Sequence, residues 1–180
     1  MKMRRKIKKD FYQKPALELA EKLLSKFIIR KYKGKILEGE IIETEAYIGP
    51  QDKASHAYNW KVTPRNEVEY LEGGHIYIYL VYGMHWQLNI TSGKIGYPEC
   101  VLIRGLKVKE DGEKTDGPGK LCRYLKLNKG FWGEDLIKSR RIWLEERGIS
   151  PKKIKRTSRI GIDYSGPYWS KRKLRFLKVA

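Results

Sequence analysis

The sequence is poor in the residues that cross-link a chain or anchor it in a membrane. Its 180 residues include only two cysteines, Cys100 and Cys122, which are too few for a disulfide framework and match no zinc or iron–sulfur spacing. No stretch approaches the roughly 20 apolar residues of a membrane span, and the basic start is not followed by the apolar segment of a signal peptide. We therefore expect a cytoplasmic protein without membrane contact.

Histidine is equally scarce. The chain has His56, His75 and His85, and no two of them have the helical spacing of a metal-binding pair. We therefore expect neither a metal nor another cofactor.

Acidic residues are outnumbered by basic ones, 21 to 39, which leaves a net charge of +18. Residues 1–9 carry +6 and residues 151–180 carry +9, so the stretch between them is nearly neutral. Positive charge concentrated in this way fits a surface that contacts phosphates. A solvated, lysine-rich surface with mobile ends is the alternative. The interleaved aromatic and apolar residues of 151–180 favour a folded segment over a tail.

The pattern of apolar residues indicates a single domain over residues 1–180, with 1–9 as a basic arm. Strands are predicted for "FIIRKY" and "ILEGEIIETEAY", which form a hairpin around "KGK", for "HIYIYLVYGMHWQLNIT", which turns near Gly83, and for "ECVLIRGLKV". Because strands follow strands without βαβ alternation, we expect an α+β fold with a mostly antiparallel sheet and surrounding helices.

Four helices are predicted around this sheet. "PALELAEKLLSKF" has apolar residues at helical spacing behind Pro15. A short helix is expected to begin at Thr63–Pro64 and to stop at Gly73–Gly74. "GPGKLCRYLKL" and "SRRIWLEERG" are interpreted as two more.

The end of the first hairpin carries the first candidate site. Side chains alternate along a strand, so Glu43, Glu45 and Tyr47 share one face, and His56 follows closely. A carboxylate and an aromatic ring are thus neighbours. A face that simply meets water, with an ordinary surface histidine nearby, is the alternative.

The second strand pair adds a dense group of aromatic residues. Tyr77, Tyr79 and Trp86 fit core packing as well as a binding surface. Tyr82, beside the glycine of the turn, is the least core-like and is a candidate wedge between stacked bases. Asn89 alternates with apolar neighbours and extends a polar face from the aromatic one.

A candidate phosphate site lies further along the chain. In "DGPGKL" the free backbone N–H groups of a helix start lie beside Lys120, an arrangement that suits a phosphate oxygen. A plain helix cap is the more common meaning of such a sequence.

A carboxylate, stacking aromatics, a wedge and a cationic rim are the parts of an enzyme that extrudes a base and acts on its glycosidic bond. The segments that carry them, in order along the chain, are "ETEAYIGPQDKASHA", "TPRN", "YIYLVYGMHWQLNIT", "CVLIRGL", "DGPGKLC" and "RIGIDYSG" with "LRF". From about Asp10 to Phe176 the chain resembles the alkyladenine (3-methyladenine) DNA glycosylase family found in mammals and many bacteria. The resemblance implies that family's fold, which is similar to the C-terminal domain of formyltransferases.

The resemblance also implies roles. Glu45 matches the general base that activates water for attack on the deoxyribose C1′. The residues matching those that contact the flipped purine are Tyr47, His56 and Tyr79, which stack on it, and Asn89, which lies near its exocyclic position. Tyr82 matches the minor-groove wedge, and Arg104 matches an arginine that supports the water and the DNA backbone.

This chain departs from the usual family pattern at three positions. Trp60 replaces a common glycine, Glu69 a frequent methionine and Lys173 a frequent proline. All three are expected outside the pocket, where they would affect loop conformation and lesion preference but not the reaction.

The implied activity is that of a monofunctional enzyme that acts as a monomer on damaged purines in double-stranded DNA, on the nucleoid or in a nucleus. Two alternatives remain. "GPGK" with Asp135 resembles the motif of helix-hairpin-helix glycosylase-lyases, although those are mostly helical. A non-catalytic nucleic-acid-binding module, with Glu45 as a surface residue, is the other.

Overall fold

The computed structural model describes residues 4–108 and 114–179. The strands in these ranges are β1 (Arg5–Lys6), β2 (Phe27–Tyr32), β3 (Lys35–Tyr47), β4 (Ile76–Val81), β5 (His85–Ser92), β6 (Glu99–Val108), β7 (Lys114–Asp116), β8 (Ile142–Glu146), β9 (Lys153–Thr157) and β10 (Arg175–Val179). The α-helices are α1 (Lys9–Tyr12), α2 (Ala16–Leu23), α3 (Pro118–Tyr124) and α4 (Pro167–Lys171). Short 3₁₀ segments lie at Tyr58–Trp60, Glu67–Tyr70, Lys129–Phe131 and Asp163–Ser165.

The strands of the described chain join in one antiparallel sheet. Its main path runs β1-β8-β2-β3-β6-β5-β4, with β7 beside β6 and the β9–β10 pair attached to β3. The long strand β3 has two neighbours on one side, because β2 pairs with its first half and β10 with Glu43–Glu45. An irregular register against β6 between Ile41 and Thr44 marks the change of neighbour, as bulges often do.

One face of the sheet is covered by α2 and α3 and forms the main core. The buried residues of α2, Ala16, Leu19, Ala20 and Leu23, recur at helical spacing and pack against alternate residues of the strands, such as Leu88 and Ile90 of β5 and Val101 and Ile103 of β6. The Thr44 hydroxyl donates to the Ala20 carbonyl over 2.8 Å and ties α2 to β3. Each buried leucine or isoleucine contributes about 1.5–3 kcal/mol.

The opposite face carries the polar and aromatic residues. Strand register aligns Tyr77, Asn89, Leu102, Glu45 and Arg175 in one row across β4, β5, β6, β3 and β10. Residues directly opposite each other in an antiparallel pair point to the same side. The sheet therefore brings residues from five strands to one surface.

The predicted α+β class, both hairpins and strand β6 are confirmed. Residues 151–179 are folded as expected, with Leu174 and Phe176 buried. The helix predicted from Pro15 is present but ends at Leu23, because Ser25 adopts a positive φ of 68° that redirects the chain into β2. The next helix, α3, ends at Tyr124 and is also shorter than predicted.

The helix predicted for "SRRIWLEERG" is wrong. These residues include strand β8, in which Ile142 and Leu144 are buried on alternate positions. Register with β2 places Leu144 opposite Ile28, and β1 pairs on the other side. Pairing on both edges outweighs the helical propensity of Leu, Glu and Arg.

The helix predicted to begin at Thr63 is also wrong. Asn66 Oδ1 accepts hydrogen bonds from both the backbone N–H and the hydroxyl of Thr63, at 2.7 and 3.0 Å. Such a local side-chain turn competes with helix formation, and only Glu67–Tyr70 forms a 3₁₀ turn.

Across residues 4–108 and 114–179, no helix is both long and apolar enough to cross a bilayer.

Candidate active site

Glu45 is completely buried at the edge of the polar face. Its Oε1 accepts a hydrogen bond from the backbone N–H of Ile160 at 2.9 Å, and its Oε2 accepts one from the Tyr47 hydroxyl at 3.1 Å. Strand alternation explains the Tyr47 contact, whereas Ile160 comes from a loop more than a hundred residues away. The carboxylate is therefore held at both oxygens in a defined orientation.

Two arginines lie beside this carboxylate. The Arg104 Nε atom is 2.9 Å from Glu43 Oε1 and 3.5 Å from Glu45 Oε1, and Arg175 Nε donates to Glu43 at 2.6 Å. Arg104 therefore contacts both carboxylates, and its positive charge offsets the repulsion between them. Repulsion from Glu43 is thus not what raises the pKa of Glu45.

Burial raises the pKa of Glu45 above its ordinary value. The positive charge of Arg104 and the hydrogen bonds from Ile160 and Tyr47 oppose this rise in the pKa without cancelling it. A buried carboxylate of raised pKa accepts a proton more readily than one in water. Glu45 is thus suited to the role of a general base.

Aromatic residues form a cleft next to Glu45. The ring of His56 lies with its centroid 4.7 Å from that of Tyr79, and its Nδ1 is 2.6 Å from the Tyr77 hydroxyl. Tyr47, which bonds to Glu45, lines the same cleft. The cleft has a volume of about 10 Å³, room for about one water molecule, so a larger ligand requires these rings to move apart.

The histidine of the cleft is uncharged at neutral pH. Burial, together with the positive charges of Arg65 and Lys61, lowers the pKa of His56 to about 4. A neutral imidazole can stack or form a hydrogen bond without repelling a cation. The Arg65 guanidinium in turn lies 4.9 Å from the Tyr79 ring centre.

Asn89 lies inside the cleft and is 1% exposed. Its amide nitrogen donates a hydrogen bond to the Gln87 carbonyl, and its side chain also forms one with the Tyr79 hydroxyl. The structure therefore brings together Glu45, Tyr47, His56, Tyr79, Asn89 and Arg104, all predicted from the sequence.

Tyr82 and Lys120 lie apart from this group. Tyr82 is 88% exposed at the β4–β5 turn, where it and Gly83 have φ values of 51° and 67°. Lys120 is exposed and pairs with Asp116 over 2.6 Å. Neither residue lines the cleft.

A buried ion pair that was not predicted from the sequence lies beside Tyr47 and supports the wall of the cleft. The Arg159 guanidinium donates to both oxygens of Asp52, at 2.6 and 2.9 Å, and to the Ala46 carbonyl at 3.0 Å. It also lies 4.6 Å from the Tyr47 ring centre. Asp52 and Arg159 belong to motifs quoted above, but nothing in the sequence pairs them.

Glu69 was expected outside the pocket, and that expectation is wrong. Its side chain is 1% exposed and lines the cleft together with Cys100, Asn89 and the tyrosines. The 3₁₀ turn Glu67–Tyr70 packs over the sheet and directs it there. Glu69 follows a largely polar stretch of the chain. Nothing in the sequence around it therefore indicates that its side chain is buried.

A cationic groove adjoins the cleft and shares His56 with it. It has a volume of about 550 Å³, and its charged lining residues are Lys53, Lys61 and Arg65. A groove of this size and sign can accept a phosphate chain.

Comparison with known proteins gives consistent results. The family model described as methylpurine-DNA glycosylase matches residues 10–179. The chain is 40% identical over 190 residues to a Clostridioides difficile (strain 630) protein provisionally named 3-methyladenine DNA glycosylase, covering 88% of this chain and 94% of that protein. It is 34% identical over 192 residues to the human "DNA-3-methyladenine glycosylase", covering 93% of this chain and 63% of the human protein.

The family match extends over nearly the whole chain, and the relatives exceed 30% identity over most of it. The matched residues include every one that builds the cleft, from Glu45 to Arg159. The chain therefore belongs to the methylpurine-DNA glycosylase family, whose members are enzymes that hydrolyse N-glycosyl bonds.

Proposed function

We propose that this protein is a monofunctional glycosylase that flips an alkylated purine out of duplex DNA and hydrolyses its N-glycosidic bond. The product is an abasic site, which starts base excision repair. The observation that carries the proposal is a completely buried carboxylate, Glu45, held at both oxygens beside an aromatic cleft.

Glu45 would act as the general base. In the proposed step the carboxylate takes a proton from water, the water oxygen bonds to the deoxyribose C1′, and the C1′–N bond breaks with its electrons going to the purine. The sugar becomes positive as that bond breaks, and a nearby carboxylate stabilises it. Arg104 would support the water and the DNA backbone.

The aromatic cleft would hold the flipped purine. Ring-alkylated purines such as 3-methyladenine carry positive charge, which the faces of Tyr47 and Tyr79 attract more than a neutral base. His56, neutral because its pKa is lowered, can stack and hydrogen-bond without repelling that charge. Asn89 would lie near the exocyclic group. The narrow cleft implies that the rings separate as the base enters.

Surface residues would hold the duplex. Tyr82, exposed at its hairpin tip, would fill the gap left by the flipped nucleotide. The cationic groove beside His56 offers Lys53, Lys61 and Arg65 to the phosphates, and Lys120 is a further candidate contact.

Two observations favour this proposal over a glycosylase-lyase. Among the residues that the structure describes, those that line the cleft include no lysine that could form a Schiff base. Lys120 of "GPGK" pairs with Asp116 rather than with Asp135, whose carboxylate accepts hydrogen bonds from the backbone N–H groups of Ile137 and Lys138.

The test is an excision assay on a duplex oligonucleotide that contains 7-methylguanine. We expect the wild type to release the free base and to leave an alkali-labile site without spontaneous nicking. Glu45→Gln should bind the duplex normally but excise about 10²–10⁴-fold more slowly, because an amide cannot take the proton. Glu40→Gln is the matched control, since Glu40 is a buried acid of the same strand that pairs with Lys178.

Each alternative gives a different result. Strand nicking that borohydride traps as a covalent complex would indicate a lyase. Binding without base release would indicate a non-catalytic module. Full activity in Glu45→Gln would exclude Glu45 as the general base.

A further inference from the structure

Glu69 is a buried acid that the proposed reaction does not use. It lies in the wall of the aromatic cleft, which residues of β3, β4, β5 and β6 also line. Its Oε1 accepts a hydrogen bond from the Cys100 thiol at 3.3 Å, and the amide of Asn66 lies close to the carboxyl group. Its Oε2 has no hydrogen-bond partner within residues 4–108 and 114–179.

This arrangement is costly for the free protein. A buried carboxylate with one unsatisfied oxygen loses its hydration and gains little in return. In the described chain no lysine or arginine forms an ion pair with it. Unsatisfied buried groups of this kind are rare in proteins and often have a functional reason.

The other groups that face Glu69 do not provide the missing charge. They are uncharged at neutral pH: His56, the hydroxyls of Tyr47, Tyr77 and Tyr79, the amides of Asn66 and Asn89, and the thiol of Cys100. Glu45 differs, because Arg104 and the Ile160 N–H already compensate its charge. Glu69 is thus an acid without a counter-cation in the wall of the cleft that would open to admit the base.

We infer that Glu69 is a specificity-determining residue that supplies the counter-charge for a cationic, ring-alkylated purine and so favours it over neutral purines. The inference rests on the proposed function. A cation in the cleft interacts with this carboxylate at close range and low dielectric, where a single charge pair is strong. A neutral purine such as hypoxanthine gains no such attraction.

The experiment compares single-turnover excision of 7-methylguanine, which is cationic, with excision of hypoxanthine, which is neutral. We expect Glu69→Gln and Glu69→Met to lower the ratio of the two rates by about tenfold or more, through slower excision of the cationic base. Glu67→Gln, an exposed acid of the same 3₁₀ turn, is the matched control and should leave the ratio unchanged.

Two variants are used so that the test does not depend on the folding of one of them. Met fills the site without a polar atom, and Gln keeps the shape of the glutamate side chain. An unchanged ratio in folded variants, or equal losses on both bases, would overturn the inference while the proposed function stood. A wild type that releases neither base would instead overturn the proposed function, and the inference with it.

Discussion

At the scale of single residues, the buried charges explain how the cleft is built. Arg159 reaches across the molecule to Asp52 and holds the loop after β3 against the Tyr47 ring. Both side chains are completely buried, so each neutralises a charge that would otherwise be unpaired. Asp52 also accepts from the backbone N–H groups of Ile48 and Ala54.

Asp52→Asn should therefore be strongly destabilising. It leaves the Arg159 cation buried without its partner, which costs about 3–5 kcal/mol. Urea denaturation of the wild type and variant measures the difference. Asp116→Asn removes one partner of an exposed pair and should leave the unfolding midpoint unchanged. Equal effects of the two substitutions would show that the buried pair does not stabilise the fold.

Glu69 makes stability depend on pH. Burial raises the pKa of Glu69 from its ordinary value of 4.5 to about 7. The folded state binds this proton more tightly than the unfolded state, so the stability contributed by the protonated acid is lost as pH rises toward 7, and the loss is complete above it. The titratable groups that face it are His56, Cys100 and the tyrosines of the cleft.

As the pH rises from 5 to 8, the free energy of unfolding of Glu69→Met should increase by about 2–3 kcal/mol relative to that of the wild type. Glu45, whose pKa is also raised, is present in both proteins and cancels in the comparison. Urea titrations at several pH values give the difference. A flat difference across this range, or the same trend in the exposed-site variant Glu67→Met, would contradict the assignment.

At the scale of elements, the β4–β5 hairpin keeps its tip in an unfavourable conformation. Tyr82 and Gly83 both have positive φ, as a type I′ turn requires, and Met84 N–H bonds to the Val81 carbonyl at 3.1 Å. A tyrosine in this region costs about 1–2 kcal/mol. The hairpin therefore exposes a large ring at a site where glycine or asparagine would be more stable.

Tyr82→Gly should raise stability by up to about 1 kcal/mol while slowing excision from duplex DNA, because the strain and the wedge disappear together. Tyr82→Phe keeps the ring and should keep both properties, and Tyr82→Ala should weaken capture of the flipped base. Thermal unfolding and single-turnover excision are the two measurements. Undiminished excision by Tyr82→Gly would exclude a wedge.

Strand elements were the most predictable part of the fold. Alternation and a glycine turn identified both hairpins, whereas β6 is a mostly apolar run that is buried on both faces. β8 was mistaken for a helix because its residues favour helix, and only the strands on either side of it stabilise the extended form. A short segment whose structure depends on its neighbours cannot be assigned from its own sequence.

At the scale of the whole molecule, the two basic ends lie in different places. β1, near the N-terminus, is at the edge of the sheet opposite to β4, whereas β9 and β10 extend the sheet beside Glu45. Of the basic residues of the two ends that lie in residues 4–108 and 114–179, those of the C-terminal strands are next to the site. The exposed lysines of the segment before and within β9 are thus the stronger candidates for phosphate contacts.

Replacement of Lys152, Lys153 and Lys155 by Gln should weaken binding to damaged and undamaged duplexes alike. The slope of log K against log salt should fall by about 0.9 for each phosphate contact that is lost. Fluorescence anisotropy at several salt concentrations measures both. Lys22→Gln is the control, because α2 covers the opposite face of the sheet. An unchanged slope in the triple variant would place the DNA elsewhere.

The class of the fold, the family resemblance and the site residues on strands could all be predicted from the sequence, because alternation and motif order are local properties. The surroundings of those residues could not be predicted in this way, because they depend on tertiary contacts. Arg159 reaches Asp52, Ile160 reaches Glu45 and Glu69 enters the cleft through contacts between distant segments. Burial of those charges depends on how the segments pack, which no single stretch of sequence encodes.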